Sequence, residues 1–220
     1  MNTKTLRWSI VLAVAGTLAL PGLAYAGIGY VNVEASDQNK FSPRSESYNL
    51  LAHPNFWWQW GDDSDGGVTL RKHNVRQDDG LFRSGDPTKS PPDGHYELNV
   101  SAGTFPYYCE VHGGPGGAGM SGKIHVAPVV EGSPTTSGIE LTWADVSSET
   151  GDAYDVRYRV DGRNWRIWKN DTPHFGGTFG AGGHPIVLKT GHTYKFQVRS
   201  EKGSNPDRRS DWSPTRSQSL

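Results

Sequence analysis

The chain has 220 residues, with 22 Lys and Arg against 23 Asp and Glu and a formal net charge of −1. That balance excludes a nucleic-acid or anionic-membrane binder driven by bulk positive charge. With 28 Gly, 14 Pro, eight Trp and nine Tyr, the composition favours many turns and aromatic strands, and no segment after the first 26 residues sustains a helical apolar period.

Lys4 and Arg7 precede an apolar run from Trp8 to Leu20, followed by Pro21 and the small-residue site Ala24, Tyr25 and Ala26. A charged start, a short apolar centre and a small-residue cleavage site read as a secretory signal peptide over residues 1–26. The run is shorter than the roughly 18 to 20 residues of a spanning helix, so no membrane span is expected. The mature protein, beginning at Gly27, is expected to be exported to a periplasmic or extracellular location. Losing Lys4 and Arg7 leaves it mildly acidic. About 100 to 150 residues per domain predicts two small domains in the mature chain.

Residues 27–128 form the first. Tyr30, Val31 and Val33 predict a strand, Phe56, Trp57, Trp58 and Trp60 an aromatic one, and Val68, Leu70, His73 and Val75 another, ending near Asp78, Asp79 and Gly80. Tyr96 to Val100, then Tyr107 to Cys109, then Lys123 to Val126 predict three more. Antiparallel strands of this length between Gly, Pro and Asp clusters read as a Greek-key sandwich. Pro128 to Ser137 suits a short linker. Residues 129–220 form the second domain, again all-β: Ile139, Leu141 and Trp143 alternate on one strand, as do Tyr154, Val156, Tyr158 and Val160, with a third signal at Tyr194, Phe196 and Val198. The glycine-rich segment between Trp168 and Ile186 reads as a mobile surface loop.

Once the signal peptide is gone, Cys109 and Met120 are the only sulfurs, and they flank His112 in one glycine-rich stretch. An unpaired cysteine in an oxidising compartment is reactive, intermolecular or committed to a metal. A thiolate, an imidazole and a thioether, with one more histidine from elsewhere, are the donors of an electron-transfer copper centre. His73 is the candidate for that second histidine. Thiolate and thioether suit Cu(I) while imidazole accepts either state, so the set serves both. His53, His95, His125, His174, His184 and His192 lack a second ligand at metal spacing and read as ordinary histidines. Tyr107, Tyr108, Trp57, Trp58 and Trp60 read as strand aromatics rather than an electron path. Asn99 and Asn170 open N-glycosylation sequons.

Residues 41–126 resemble the plastocyanin, pseudoazurin and azurin-like cupredoxins. The carrying motifs are Lys72-His73-Asn74-Val75, Gly80-Leu81-Phe82-Arg83-Ser84-Gly85, Gly103 through His112, and Gly119-Met120-Ser121-Gly122-Lys123-Ile124. The resemblance implies a cupredoxin sandwich with one type 1 copper on His73, Cys109, His112 and Met120, and Asn74 bracing the ligand loop. The eight residues from Gly113 to Met120 make that loop longer than the plastocyanin pattern. Residues from about Val129 to Pro214 resemble a fibronectin type III domain, an immunoglobulin-like sandwich. There Leu188, Gly191 and Tyr194 look like the tyrosine corner and Asp211, Trp212 and Ser213 like the last strand.

The expected function is one-electron transfer with a redox partner protein, the second domain engaging a cell-surface or protein partner. A copper-binding, storage or adhesion protein without a carrier role is the alternative. An enzyme is not expected, and no catalytic residue is assigned. No His-x-His pair exists for a second copper cluster, and Cys109 is flanked by Tyr108 and Glu110 where multicopper oxidases and copper nitrite reductases place histidines.

Overall fold

The computed structural model describes residues 29–33, 39–50, 55–61, 71–203 and 205–220. The expected signal peptide, His53, Val68 and Leu70 lie outside them. The described chain is all-β apart from two single 3-10 turns, and none of its helices is long and apolar enough to cross a membrane.

Two mixed sheets enclose the first core. One contains β1 (Gly29–Val33), β2 (Phe41–Ser42), β4 (Asn55–Trp60) and β6 (His95–Asn99), in the order β2-β1-β4-β6. The other contains β3 (Ser45–Asn49), β5 (Arg76–Gln77), β7 (Gly103–Gly114) and β8 (Ala118–Ala127), in the order β3-β8-β7-β5. Side chains alternate across a strand. Phe56, Trp58 and Trp60 of β4 therefore turn inward together, as do Phe105, Tyr107 and Cys109 of β7. Tyr107 meets Trp58 edge-on at 5.3 Å and Phe41 at 4.9 Å between ring centroids, locking the sheets face to face. Burying each such ring stabilises the fold by about 1.5 to 3 kcal/mol. The expected all-antiparallel arrangement is corrected at two places: β1 runs parallel to β4, and β3 parallel to β8. In the described part of the strand expected around His73, residues 71–75, His73 forms an isolated bridge to Thr88, and β5 begins at Arg76.

The second core has its own sheets. β9 (Val129–Thr135), β10 (Gly138–Thr142) and β13 (Gly176–Phe179) pair in the order β13-β10-β9. β11 (Ala153–Val160), β12 (Arg166–Thr172), β14 (Thr193–Lys202) and β15 (Asn205–Arg209) pair as β12-β11-β14-β15, and β16 (Arg216–Ser219) adds to β14. Ile139, Leu141, Trp143, Tyr154, Val156, Phe196 and Val198 are all fully buried, as their alternation predicts. The Lys189 N–H donates to the Tyr194 hydroxyl at 2.8 Å, tying β14 to the turn before it. Three expectations are corrected here. Val129 to Thr135 is a strand, not a linker, because its backbone pairs with β10. The glycine-rich segment is largely ordered, because β13 pairs along β10 from Thr142 to Ile139 and buries Phe179. The last strand is β16, whereas Asp211 bridges instead to Thr104.

That bridge belongs to a hydrogen-bonded seam between the halves. Thr104 and Asp211 exchange backbone bonds of 3.0 and 2.9 Å, and the Ala102 N–H donates to Trp143 O at 2.7 Å. The buried Ser101 hydroxyl bonds Thr150 Oγ1 at 2.5 Å and Ser200 Oγ at 2.6 Å. Gly103 lets the seam close tightly at this point, since a β-carbon would meet Ser210 Oγ at 2.6 Å and one of the two would have to shift. The seam grips the start of β7; Cys109 lies six residues further along, about 20 Å away at the rise of an extended strand.

Candidate metal centre

β7 and β8 are a hairpin whose register breaks where the predicted donors sit. Tyr108 faces Ser121, but the next pair is Gly113 with Gly119. Four residues of β7, Cys109 to His112, thus face the single residue Met120 of β8. A bulge of this kind bends the strand and re-aims side chains that a regular ladder would alternate, so Cys109 and His112 converge. Beyond it the ladder resumes through Gly114 and Ala118 around a Pro115–Gly117 turn. The lengthened loop of the sequence is therefore a hairpin extension. Its tip is fastened by the Gly116 N–H donating to Asp78 Oδ2 at 2.8 Å. Gly119 has φ +60°, and a β-carbon there would collide with the His112 carbonyl, so glycine is required.

Three of the four predicted donors meet. Cys109 Sγ lies 3.7 Å from His73 Nδ1 and 3.6 Å from His112 Nδ1, and the two nitrogens are 3.1 Å apart. A point in the plane of that triangle is about 2.0 Å from all three atoms. Imidazole and thiolate bonds to a metal run about 2.0 to 2.3 Å, so the triangle fits one ion without rearrangement. Cys109 is fully buried and His73 is 1% exposed, while His112 is half-buried and forms the side of the site nearest solvent. The fourth, Met120, is buried, and it lines the same surface depression as His112, beside Lys40, Arg44 and Ser121.

Burial first, and nearby charge second, favour the neutral form of both imidazoles. Burial, the His112 ring and the Arg71 charge push His73 down to about 4. Burial and Arg71 also lower His112. Neutral imidazole is the metal-binding form, so little proton release from His73 would accompany binding near neutral pH.

The neighbours of the donors form a latch. Asn74, next to His73, accepts the Glu110 N–H at 2.9 Å and donates to Gly85 O at 3.0 Å, so it ties the segment carrying His73 to the residue after Cys109. Glu110 then receives Arg76 at 2.6 Å, Arg83 at 2.8 Å and the Asn74 amide. Burial pushes the Glu110 carboxyl up, but the bonds from Arg83, Arg76 and Asn74 outweigh it and hold it at about 2. Sequence reading missed Glu110, Arg76 and Arg83 as a unit. The signal available was an acidic residue beside the cysteine and two arginines seven apart, which only strand pairing brings together.

The other histidines are accounted for locally where partners are present. His95 stacks on Trp57 at 4.6 Å, His125 contacts Thr104 Oγ1 at 3.2 Å, and His192 pairs with Asp161 at 2.5 Å. Among the described residues one further group has metal-ligand types, Asp155, Asp171 and Glu201. It is a carboxylate cluster with Arg199 inside it, 2.5 Å from Asp155 and 3.5 Å from Glu201. Burial and the neighbouring carboxylates Asp171 and Asp155 raise Glu201.

No family model matches the chain, and no curated protein matches it. Among solved structures, a chain of a cytokine receptor complex aligns at 16% identity and a TM-score of 0.32, over 68% of this chain and 85% of that one. A two fibronectin type-III domain segment from chicken tenascin aligns at 17% identity and a TM-score of 0.30, over 68% of this chain and 82% of that one.

Proposed function

We propose that the protein is an exported type 1 copper protein that carries single electrons to and from a partner protein. The observation that carries this reading is the triangle of His73, Cys109 and His112, with 3.7, 3.6 and 3.1 Å between donor atoms. Two imidazoles, a thiolate and a thioether are the donor chemistry of blue-copper electron-transfer sites, and Met120, buried in the lining of the same depression as His112, would supply the thioether. The bound copper would supply a one-electron Cu(II)/Cu(I) couple.

The chain's own residues do the rest. Cys109 is fully buried in the first core and would bind the metal through its sulfur. His73 enters as a neutral ring held by its segment's bonds through Asn74. His112 is the half-buried donor through which an electron reaches the surface, and Lys40 and Arg44 give that surface a basic rim. Three donors already grouped within 3.1 to 3.7 Å of one another would hold a bound ion with little rearrangement of the chain. The resemblance to cupredoxins over residues 41–126, and the signal peptide expected over residues 1–26, support the same reading.

Adding Cu(II) to the purified protein tests it. An intense visible thiolate charge-transfer band is expected, lost in Cys109→Ala and in His73→Ala but retained in His125→Ala. The band should bleach and return over repeated one-electron cycles. A folded protein without the band overturns the copper site. A site that holds Cu(I) and resists mild oxidant favours the storage alternative.

A further inference from the structure

β11 and β14 turn Tyr154, Val156, Tyr158, Tyr194, Phe196 and Val198 into the second core, so the residues between them share the outer face of the sheet. The register places Arg159 directly opposite Lys195, Arg157 opposite Gln197, and Asp155 opposite Arg199. Two tryptophans interleave with the arginines. Arg159 and Arg157 lie 4.6 and 4.7 Å from the Trp165 ring centroid, and Arg157 and Arg199 lie 4.1 and 4.7 Å from that of Trp212. Each guanidinium lies over an aromatic ring within cation–π range, which restricts its rotamer.

The charges on this face do not balance. Asp155 and Glu201 are engaged by Arg199, with Asp171 grouped beside them at that end of the face, and Asp161 is engaged by His192. Among the described residues Arg157 bonds the neutral Gln197 oxygen, at 2.9 and 2.6 Å, and no carboxylate. Arg159 Nε is buried without a hydrogen-bond partner among the described residues. Burial and the charges of Arg199 and Arg159 lower Arg157, a sign of mutual repulsion along the stack. Like charges directly opposite on neighbouring strands cost stability, and among the described residues no carboxylate offsets the Arg159 and Lys195 pair.

We propose that this face binds an extended acidic segment of a partner protein, with carboxylates on alternate residues seated on Arg157, Arg159 and Lys195. Side chains on one face of an extended peptide repeat every two residues, about 6.6 to 6.8 Å. Arg157 and Arg159 share that period, so a segment lying along β11 sets successive carboxylates over both. Gln197 already takes Arg157 Nε and Nη2 and Arg159 Nε is buried, which leaves the Nη ends of the guanidiniums to receive a carboxylate, and their position over the rings spares the ordering cost of a free arginine. The tryptophan faces are already covered by arginine, which disfavours sugar stacking and leaves the oxyanion contact as the recognition chemistry. The proposal is independent of the metal centre.

A fluorescein-labelled Glu-Ser repeat peptide is the probe, read by anisotropy against the full protein, with a Gln-Ser repeat as control. Binding of the Glu-Ser peptide only is expected, weakened about tenfold or more in Arg159→Gln with Lys195→Gln and unchanged in Arg208→Gln. Carbodiimide treatment of the unaltered protein with the peptide should form an amide from a peptide carboxylate to Lys195 Nζ, located by mass spectrometry. This arm needs no variant to fold. Equal binding by the double variant, cross-links placed elsewhere, or no binding overturns the proposal. So does a sulfated polysaccharide or an anionic vesicle that binds this face while the peptide does not.

Discussion

Asn74→Ala isolates the tie between the segment carrying His73 and the bulge carrying Cys109 and His112. The substitution strips the acceptor from the Glu110 N–H, the donor from Gly85 O and one of the bonds holding the Glu110 carboxylate. Each neutral bond contributes about 0.5 to 1.5 kcal/mol net, and the one to an ionised group about 1.5 to 3 kcal/mol. The total is about 2.5 to 6 kcal/mol, taken at about 3 because Glu110 and Gly85 are half-buried and water replaces part of what is lost. For a chain of this size about 3 kcal/mol lowers Tm by roughly 6 to 12 °C. The donors themselves remain, but Cys109 loses its fixed position relative to His73, and loss of such a supporting contact costs about 10- to 100-fold in metal affinity. Thermal unfolding of the metal-free protein by circular dichroism reads the first effect, and a copper titration followed at the thiolate band reads the second. A Tm within about 2 °C of the parent together with unchanged affinity would refute the latch.

Acid should weaken the same latch. The Glu110 carboxyl is held from its ordinary 4.5 down to about 2, so its stabilisation is fully present above about pH 4.5 and is lost as pH falls toward 2. Screening at a side chain 21% exposed reduces the contribution to about 1 to 2 kcal/mol. Acid unfolding of Glu110→Gln should show less pH dependence across this window, and parallel curves for the two proteins count against the assignment. Gly119→Ala forces a β-carbon onto the His112 carbonyl at φ +60°. A cost of about 1 to 3 kcal/mol is expected, with metal affinity falling as the hairpin shifts, and a parent-like Tm and titration would show that the turn relaxes freely. In the second sandwich, Tyr194→Phe removes the acceptor of the Lys189 N–H. It should cost about 1 to 2 kcal/mol in denaturant unfolding without changing the copper band, and an unchanged unfolding midpoint would count against the corner.

Alternation of large apolar residues made most strands legible in the sequence, from Phe56-Trp58-Trp60 to Tyr154-Val156-Tyr158, because period two in a half-buried sheet is a local property. It failed for β9 and β13, whose Gly, Ser, Pro and Thr residues carry no apolar signal. They are strands because β10 offers unpaired backbone on both edges. The same limit hid the parallel pairings of β1 with β4 and β3 with β8, since direction is set by the partner strand and not by the residues.

The chain by itself determined which atoms are available: one thiol and one thioether beside His112, a further imidazole at His73, and the glycines that let a hairpin close around them. These are properties of residue type and spacing. The tertiary structure decided the rest. A register break in the β7 and β8 ladder turns Cys109 and His112 toward one point, and the segment after Lys72 delivers His73 to within 3.7 Å of the thiol. Arg76 and Arg83 reach Glu110 only because β5 and its neighbours pack beside β7. The physical reason is that side-chain identity is local, whereas the convergence of donors and the pairing of charges are set by strands far apart in sequence.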